Sequence, residues 1–318
     1  MKRKKMCLSA MALLMSFMML LAGCGGKGAA ADGGNGGAKP KAEAKAEVTI
    51  KMLDVGQGDA ILIRTPEQTV LIDTSDIDEQ KKLQAALQKE NVKVIDKLII
   101  THPHADHNGG TPVVFRECEV KAVYDNGQTT TTKIYRDYLK AIKSKGIAYK
   151  ALRDGDKLDF GGGVTFEVLS PTEEMVKDGG KDENGKINLN LNSVVGRLVY
   201  GEFSMLFTGD AEAVSESGIM SRHSAKDLKS TLLKAGHHGS KTSSSTKFLK
   251  AVQPEAALIS CGQGNDYHHP HPSIRSRYAK AKIDFYRTDV NGAITVTTDG
   301  HTYKLKTERG KKNDDTGN

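Results

Sequence analysis

Short apolar runs recur from residue 48 onward, and glycines, prolines and charged clusters break them at close intervals. Val48 to Leu53, Ala60 to Arg64 and Thr69 to Ile72 read as three strands, parted by Gly56-Gln57-Gly58 and by Pro66-Glu67-Gln68. Residues 78–90 carry Leu83, Ala86 and Leu87 among charges, the spacing of an exposed amphipathic helix. Val94 to Ile100 is almost continuously apolar, as a central strand buried on both faces requires. Beyond it the pattern predicts helices at 132–145, 212–221, 244–252 and 272–281. Strands are predicted at 163–169, 193–200, 203–208, 231–235, 256–260, 284–287, 292–298 and 302–306. Hairpin-rich strands interleaved with helices imply a layered α/β domain with mixed sheets. Asp125 to Thr131 and Glu173 to Lys186 are polar, turn-rich loops, and the second is long enough to overhang a site.

The ends depart from this pattern. Met1-Lys2-Arg3-Lys4-Lys5 precedes an apolar run over residues 6–22, too short to span a bilayer and closed by small residues, so residues 1–23 read as a signal peptide. Leu21-Ala22-Gly23-Cys24 resembles a bacterial lipobox. That resemblance implies cleavage before Cys24, lipidation there, and an extracytoplasmic protein anchored to the cell membrane. Residues 24–47 are rich in Gly, Ala and Lys, cannot bury enough apolar surface to offset ordering, and are expected to form a flexible tether. Residues 309–318 are expected to be a disordered tail, which leaves one folded unit over 48–308.

The net charge of +7 falls to about +1 once the signal segment, tether and tail are set aside, so bulk charge does not identify a partner. Its distribution is more informative. Seven Lys or Arg lie between Arg222 and Lys250 against Asp227 alone. Two cysteines remain in the folded unit, Cys118 and Cys261, either as a disulfide or as two buried thiols.

The strand ending at Ile100 runs directly into His102-Pro103-His104-Ala105-Asp106-His107. Four ligand-capable side chains within six residues, behind a buried strand, are expected to bind metal. His102 and His104 face one side of an extended backbone, while Asp106 and His107 follow across a turn, so one or two divalent ions (Zn or Mn) can be gripped. Asp210 ends an apolar strand at a glycine turn, where its carboxylate either reaches a cleft or caps the next helix. His237 and His238 lie just past the 231–235 strand, and adjacent side chains of an extended chain face opposite ways. One ligand is therefore expected from the pair. His237 is favoured as nearer the strand end, with His238 as a catalytic group meeting substrate or moving protons, although the reverse remains open. Ser243-Ser244-Ser245 reads as a helix cap and not as a nucleophile.

His-x-His-x-Asp-His after a strand, with Leu71-Ile72-Asp73-Thr74 before it and Phe207-Thr208-Gly209-Asp210 after it, resembles the metallo-β-lactamase superfamily. More narrowly, Leu53 to Asp59, Gly236-His237-His238-Gly239-Ser240, Tyr267 to Pro272 and Arg287-Thr288-Asp289 resemble the extracellular hydrolase domain of the ComEC competence family. The resemblance implies an αββα sandwich, a first metal site with His102 and His104, a second with Asp106 and His107, and Asp210 bridging. In that reading Asp106 is also catalytic. The superfamily's usual third histidine of the first site is absent from Ile187 to Ser193, so Asn192, His269 or His271 are candidates to complete it or to touch substrate.

A hydrolytic centre set among basic residues suits a phosphate ester, with Ser240 and Lys241 as phosphate contacts. Trp is absent and aromatics make up 5% of the chain, so no base-stacking surface is evident. The expected activity is metal-dependent cleavage of a phosphodiester, with DNA the substrate and DNA-uptake machinery the partner that the ComEC resemblance implies. The alternatives are a lactam, thioester or choline phosphoester substrate, or a non-catalytic binding module on the same fold.

Overall fold

A computed structural model describes residues 46–182 and 184–313; the expected signal peptide, Cys24 and nearly all of the tether lie outside the described residues. In Val48–Met52 alternate residues are buried, and β-branched Val48 and Ile50 send their side chains into the molecule. This strand sits inside an eight-stranded sheet, between Ile294–Thr298 and Ile61–Arg64. The sheet continues through Thr69–Ile72, Lys97–Ile100, Ala122–Asp125 and Ala148–Ala151, and Tyr303–Thr307 forms its other edge. Pairing is antiparallel from that edge to Thr69–Ile72 and parallel from there on.

A second sheet of seven strands runs Asp284–Arg287, Ala256–Ile259, Leu232–Lys234, Phe203–Phe207, Val195–Tyr200, Thr165–Ser170 and Lys157–Asp159. Its first four strands are parallel and the rest antiparallel. The inner faces of both sheets meet in one cluster that includes Ile50, Ile63, Ile72, Phe166, Leu198, Met205 and Phe207. Outer clusters lie under the helices: Leu83, Phe115 and Tyr138 cover Leu71 and Leu98 of the first sheet. Ile219, Phe248 and Tyr278 cover Leu206 and Leu233 of the second. Helix, sheet, sheet, helix is the layering that the sequence implied.

Most predicted elements recur with ends shifted by one to three residues, and four differences have physical causes. The run Val94 to Ile100 is not one strand. Asp96 interrupts it, its carboxylate accepting the Thr69 N–H and the Lys121 ammonium, so Val94–Ile95 pairs with Glu119–Val120 while Lys97–Ile100 joins the large sheet. Strands Ala122–Asp125 and Ala148–Ala151 were not expected, because they are short and the second is exposed along most of its length. Helix Glu173–Asp178 occupies part of the expected loop, capped by the Thr172 hydroxyl, which accepts from Met175 N–H. Residues 309–313, expected in the tail, are tied to the body: Asn313 exchanges backbone and side-chain hydrogen bonds with Phe285 at 2.8 and 2.7 Å. Cys118 and Cys261 are separate buried thiols. Among the described residues no helix is long and apolar enough to cross a membrane.

Candidate metal centre

The parallel parts of both sheets point the same functional residues to one edge, because ligand-bearing loops follow the carboxyl ends of parallel strands. Thr69–Ile72 delivers Asp73, Lys97–Ile100 delivers His102 to His107, Phe203–Phe207 delivers Asp210, and Leu232–Lys234 delivers His237 and His238. Gly58 lets the first loop close over this edge. It has a φ of +118°, and a Cβ there would lie 2.4 Å from the Asp106 carbonyl oxygen. The Asp59 N–H donates to that same carbonyl at 3.1 Å.

Asp106, His107, Asp210 and His238 form one tight group, each offering a ligand atom within 4.8 Å of the others. His107 Nε2 stands 3.2 Å from Asp210 Oδ1 and 3.8 Å from Asp106 Oδ2, and His238 Nε2 stands 3.2 Å from Asp106 Oδ2 and 3.6 Å from Asp210 Oδ1. Four-coordinate Zn with bonds near 2.1 Å has ligand atoms about 3.4 Å apart, so these separations fit a divalent ion. His107 Nε2, His238 Nε2 and Asp210 Oδ1 are buried without a hydrogen-bond partner. Leaving three such atoms unsatisfied is costly, and a cation at their centre would satisfy all three.

The far side of each ring is already held. His107 Nδ1 lies 2.8 Å from Asp73 Oδ2, and His238 Nδ1 lies 2.9 Å from the Ser260 carbonyl oxygen. Each partner accepts a proton from Nδ1, which turns the Nε2 lone pair toward the group. Asp73 is itself fixed by the Thr101 N–H and hydroxyl, at 2.7 and 2.8 Å.

On the other oxygen of Asp210 the arrangement is more open. His102 Nε2 lies 2.9 Å from His104 Nδ1 and 3.9 Å from Asp210 Oδ2. His237 Nε2 lies 3.7 Å from Asp210 Oδ2, and its side chain is 24% exposed.

The Metallo-beta-lactamase superfamily profile matches residues 53–263. The chain belongs to this superfamily. It is 32% identical over 267 residues to ComE operon protein 3 of Bacillus subtilis, a match covering 78% of this chain and 33% of that protein. It is also 32% identical over 257 residues to competence protein ComA of Neisseria gonorrhoeae, covering 80% of this chain and 33% of that one. The chain thus spans about a third of the length of these curated relatives. Among solved structures, a variant of the CmlA β-hydroxylase superposes with a TM-score of 0.50 at 13% identity, over 81% of this chain and 54% of that one. That likeness concerns the fold alone.

The electrostatics of this superfamily centre are those of a site made for positive charge. Burial opposes protonation of His107, but Asp210, Asp73 and Asp106 outweigh it and hold its pKa well above the usual value. Burial likewise works against the Asp210 carboxylate, yet His107 and His238 keep its pKa well below the usual range. Burial, reinforced by His107, drives His102 the other way, to a pKa well below that of free histidine.

Lys234 is a buried cation that the sequence reading counted only as part of a basic run. Its ammonium forms an ion pair with Asp59, donates to the Gly209 carbonyl at 3.0 Å and lies 3.9 Å from Asp210 Oδ1. Asp59, Asp73 and His107 also converge closely enough to hold an ion. Lys234 already neutralises Asp59, and Asp73 is engaged by His107 and Thr101, so this second group serves as support.

The pocket over the centre encloses about 320 Å³ and is lined by Gln57, Asp76, Asp106, Asn190, Tyr267 and His269, among others. Among the described residues no Lys or Arg lines it. The basic run therefore does not surround the site. Arg222 is paired with Asp154 at 2.8 Å, Arg277 donates to the carbonyls of Ser243 and Ser244, and Lys241 is exposed outside the pocket. Ser240 is buried and shares a hydrogen bond with Thr242.

The remaining candidates separate clearly. His269 lines the pocket, and burial beside His238 and His237 lowers its pKa to about 4, so it is a neutral imidazole at the rim. His271 instead caps the helix Pro272–Ala281, its Nδ1 accepting from Ser273 N–H at 3.2 Å. Asn192 donates to the Met175 carbonyl at 3.1 Å, and it is Asn190 that faces the pocket. His237 was favoured over His238 as the ligand, but His238 stands in the tight group. Asp59 and Asp73 entered the sequence reading only as members of the motifs that carry the resemblance, Asn190 only within the segment that lacks a histidine, and none of these nor Glu212 was given a role. The physical signal for Asp59 and Asp73 was a carboxylate directly after a glycine turn or a buried strand.

Proposed function

We propose that this domain is a metal-dependent phosphodiesterase acting on DNA. The observation that carries the hydrolase part is the convergence of orphaned His107 Nε2, His238 Nε2 and Asp210 Oδ1 on one point in a polar pocket. The similarity to a protein named for competence, over 80% of the chain, supports DNA as the substrate. The pocket is lined mainly by ionisable and amide side chains, His104, Asp106, Asn190, Asp210, His237 and His238 among them, which suits a charged phosphate better than a lactam, since sites for apolar small molecules are lined mainly by hydrophobic side chains. With no Lys or Arg lining the pocket among the described residues, the charge that meets phosphate oxygens is assigned to the metal.

Divalent ions, when bound, lower the pKa of water and stabilise charge on attacking and leaving oxygens. The protein's own groups do the positioning. Asp210 presents one oxygen to each half of the centre. Asp106, a quarter exposed, is the ligand that reaches the pocket and can accept a hydrogen bond from an incoming water, which orients it. His238 is suited to hold a cation, because its Nδ1 is engaged by the Ser260 carbonyl while its buried Nε2 has no hydrogen-bond partner. Neutral His269 at the rim can donate a hydrogen bond to a departing oxygen.

The reading is tested by incubating the purified chain with single- and double-stranded DNA under a titration of Mn and Zn, with Asp106→Ala and His104→Ala as controls. Metal-dependent cleavage lost in both variants is expected. Intact DNA alongside turnover of a simple phosphodiester would remove the nuclease part, and nitrocefin turnover would return the lactam reading. A second reading, a binding module, is favoured by Asn188 to Asn192 standing in place of a histidine; metal binding without turnover of any ester would select it. We further propose that lipid on Cys24 holds the domain outside the cell membrane, beside DNA-uptake machinery. Incorporation of a labelled fatty acid, lost in Cys24→Ala, checks the anchor.

A further inference from the structure

We propose that Tyr267 is a specificity-determining residue of the pocket, its free ring face taking an unpaired nucleobase of the strand being cleaved. The proposal rests on the phosphodiesterase reading above and adds which form of nucleic acid the site prefers, a single strand over a duplex.

Three rings run outward from the tight group, each nearly parallel to the next. His238 and His269 have centroids 6.3 Å apart and planes inclined by 24°, and His269 and Tyr267 stand 5.6 Å apart at 22°. Both separations fall in the offset-stacked range of aromatic pairs. The two histidines are buried, whereas Tyr267 is 65% exposed. With His269 against one face of the tyrosine ring, that exposure falls mainly on the other face, at the mouth of the pocket that Tyr267 also lines. The stack ends in an open place for one more flat ring.

An exposed aromatic ring is ordinary on a protein surface and carries nothing alone. Tyr149 is such a ring, and its hydroxyl donates to Asp125 at 2.7 Å, which gives it a structural task at a strand end. Tyr267 instead sits on a loop that is fastened from within. The Asn265 side-chain amide donates to the carbonyls of Gly262 and His269 at 2.8 and 2.7 Å, and its oxygen accepts the His269 N–H at 2.9 Å. The Gly262 N–H donates to Gln57 Oε1 at 3.1 Å, tying this loop to the one that follows Val48–Met52. A ring held this way loses little freedom when a ligand stacks on it. Because no Lys or Arg lines the pocket among the described residues, what the lining offers a substrate beside the polar centre is this flat apolar face. Every nucleobase has a π face, so the contact tolerates any sequence. Bases within a duplex are covered by neighbours on both faces, and only an unstacked base can lie against Tyr267.

The test compares cleavage of a short oligothymidylate with that of an abasic strand of equal length, which keeps the sugar-phosphate backbone and lacks bases. Tyr267→Ala should raise the KM for the oligothymidylate by about 5–100-fold with kcat little changed, because stacking acts alike on bound substrate and transition state. The abasic strand and a duplex should change by about twofold or less. Tyr267→Phe, which keeps the ring, should retain the wild-type KM. Equal losses on the thymidylate and abasic strands would reveal a merely structural role, and no loss on either would leave the ring without a ligand; both results overturn the proposal. If no strand is cleaved at all, the phosphodiesterase reading fails by itself, and fluorescence anisotropy with cleavage-resistant phosphorothioate strands on the Mn- or Zn-loaded chain decides the base contact. Tighter binding of thymidylate than of the abasic strand, lost in Tyr267→Ala, supports it; equal binding of the two overturns it. The two failures are therefore distinguishable.

Discussion

Around Asp210 Oδ1 the ligand atoms of His107 and His238 are closed to solvent, and their rings are fixed by Asp73 and by the Ser260 carbonyl, groups that sit at strand ends. Around Asp210 Oδ2 stand His102, which is buried, half-buried His104, and His237, whose Nδ1 lies 3.3 Å from Glu212, itself held by Asn190 of the short 3-10 turn Leu189–Asn192. Both groups draw on the same two loops, but the first is braced from behind at strand ends and the second leans on a further turn. A ligand set held at separations near 3.4 Å before a metal arrives loses little entropy on binding, whereas a set that must be gathered loses more. The Oδ1 half is therefore expected to bind first and to release last.

The largest effect should come from breaking both halves at once. Asp210→Ala removes the shared carboxylate, and loss of both ions with a fall in phosphodiester turnover of about a thousandfold is expected, equivalent to about 4 kcal/mol. Metal analysis of the dialysed protein, read alongside the rate, checks this; retention of both ions would contradict a shared role. Next is the support beneath the Oδ1 half. Lys234→Met leaves Asp59 buried and unpaired, which should destabilise the fold by about 3–5 kcal/mol in urea unfolding. Adding Asp59→Asn should recover much of that loss, because the penalty lies in the uncompensated charge. A single variant as stable as the wild type would mean that Asp59 is neutral in the fold.

The contrast between the halves also explains what was legible in the sequence. The Oδ1 half and the sandwich were readable because strands announce themselves by apolar runs, and Asp106, His107 and Asp210 directly follow such runs. Which of His237 and His238 enters the tight group was not readable. The rule that neighbours on a strand diverge holds only for extended backbone, and nothing in Gly-His-His-Gly reveals two left-handed histidines. Lys234 was misread for a related reason. Charge counts along the chain take a lysine as solvated, while its position inside the strand Leu232–Lys234 sends it under the centre. The basic run lost its meaning in the same way, since Lys234 lies beneath the centre, Arg222 pairs with Asp154, and none of its members lines the pocket. Short strands such as Ala148–Ala151, exposed and stabilised only by pairing with a neighbour, leave no periodic trace.

A smaller effect should sharpen the comparison within the Oδ1 half. Asp73→Asn keeps the shape but removes the charge that orients His107, so affinity for the first ion should fall by about 10–100-fold with the second ion less affected. Competition with a chelator of known strength measures it. An equal fall for both ions would mean that the halves are coupled through Asp210 more strongly than their separate supports suggest.

The smallest effect is expected at Lys241, where sequence position suggested a phosphate contact. It lies next to Ser240 in the chain, yet its side chain is exposed and outside the pocket lining. Lys241→Ala should change stability by about 0.5 kcal/mol or less and the specificity constant for a small phosphodiester by about twofold or less. A long DNA substrate makes the test stricter, because a lysine contacting phosphate outside the pocket would contribute only there. It would then raise the KM for DNA and flatten its dependence on salt, while leaving the small substrate untouched. If both substrates respond alike and weakly, phosphate recognition resides in the metal centre itself. The open Oδ2 half, rimmed by His237 and His269, would then be the part of the molecule that meets the substrate.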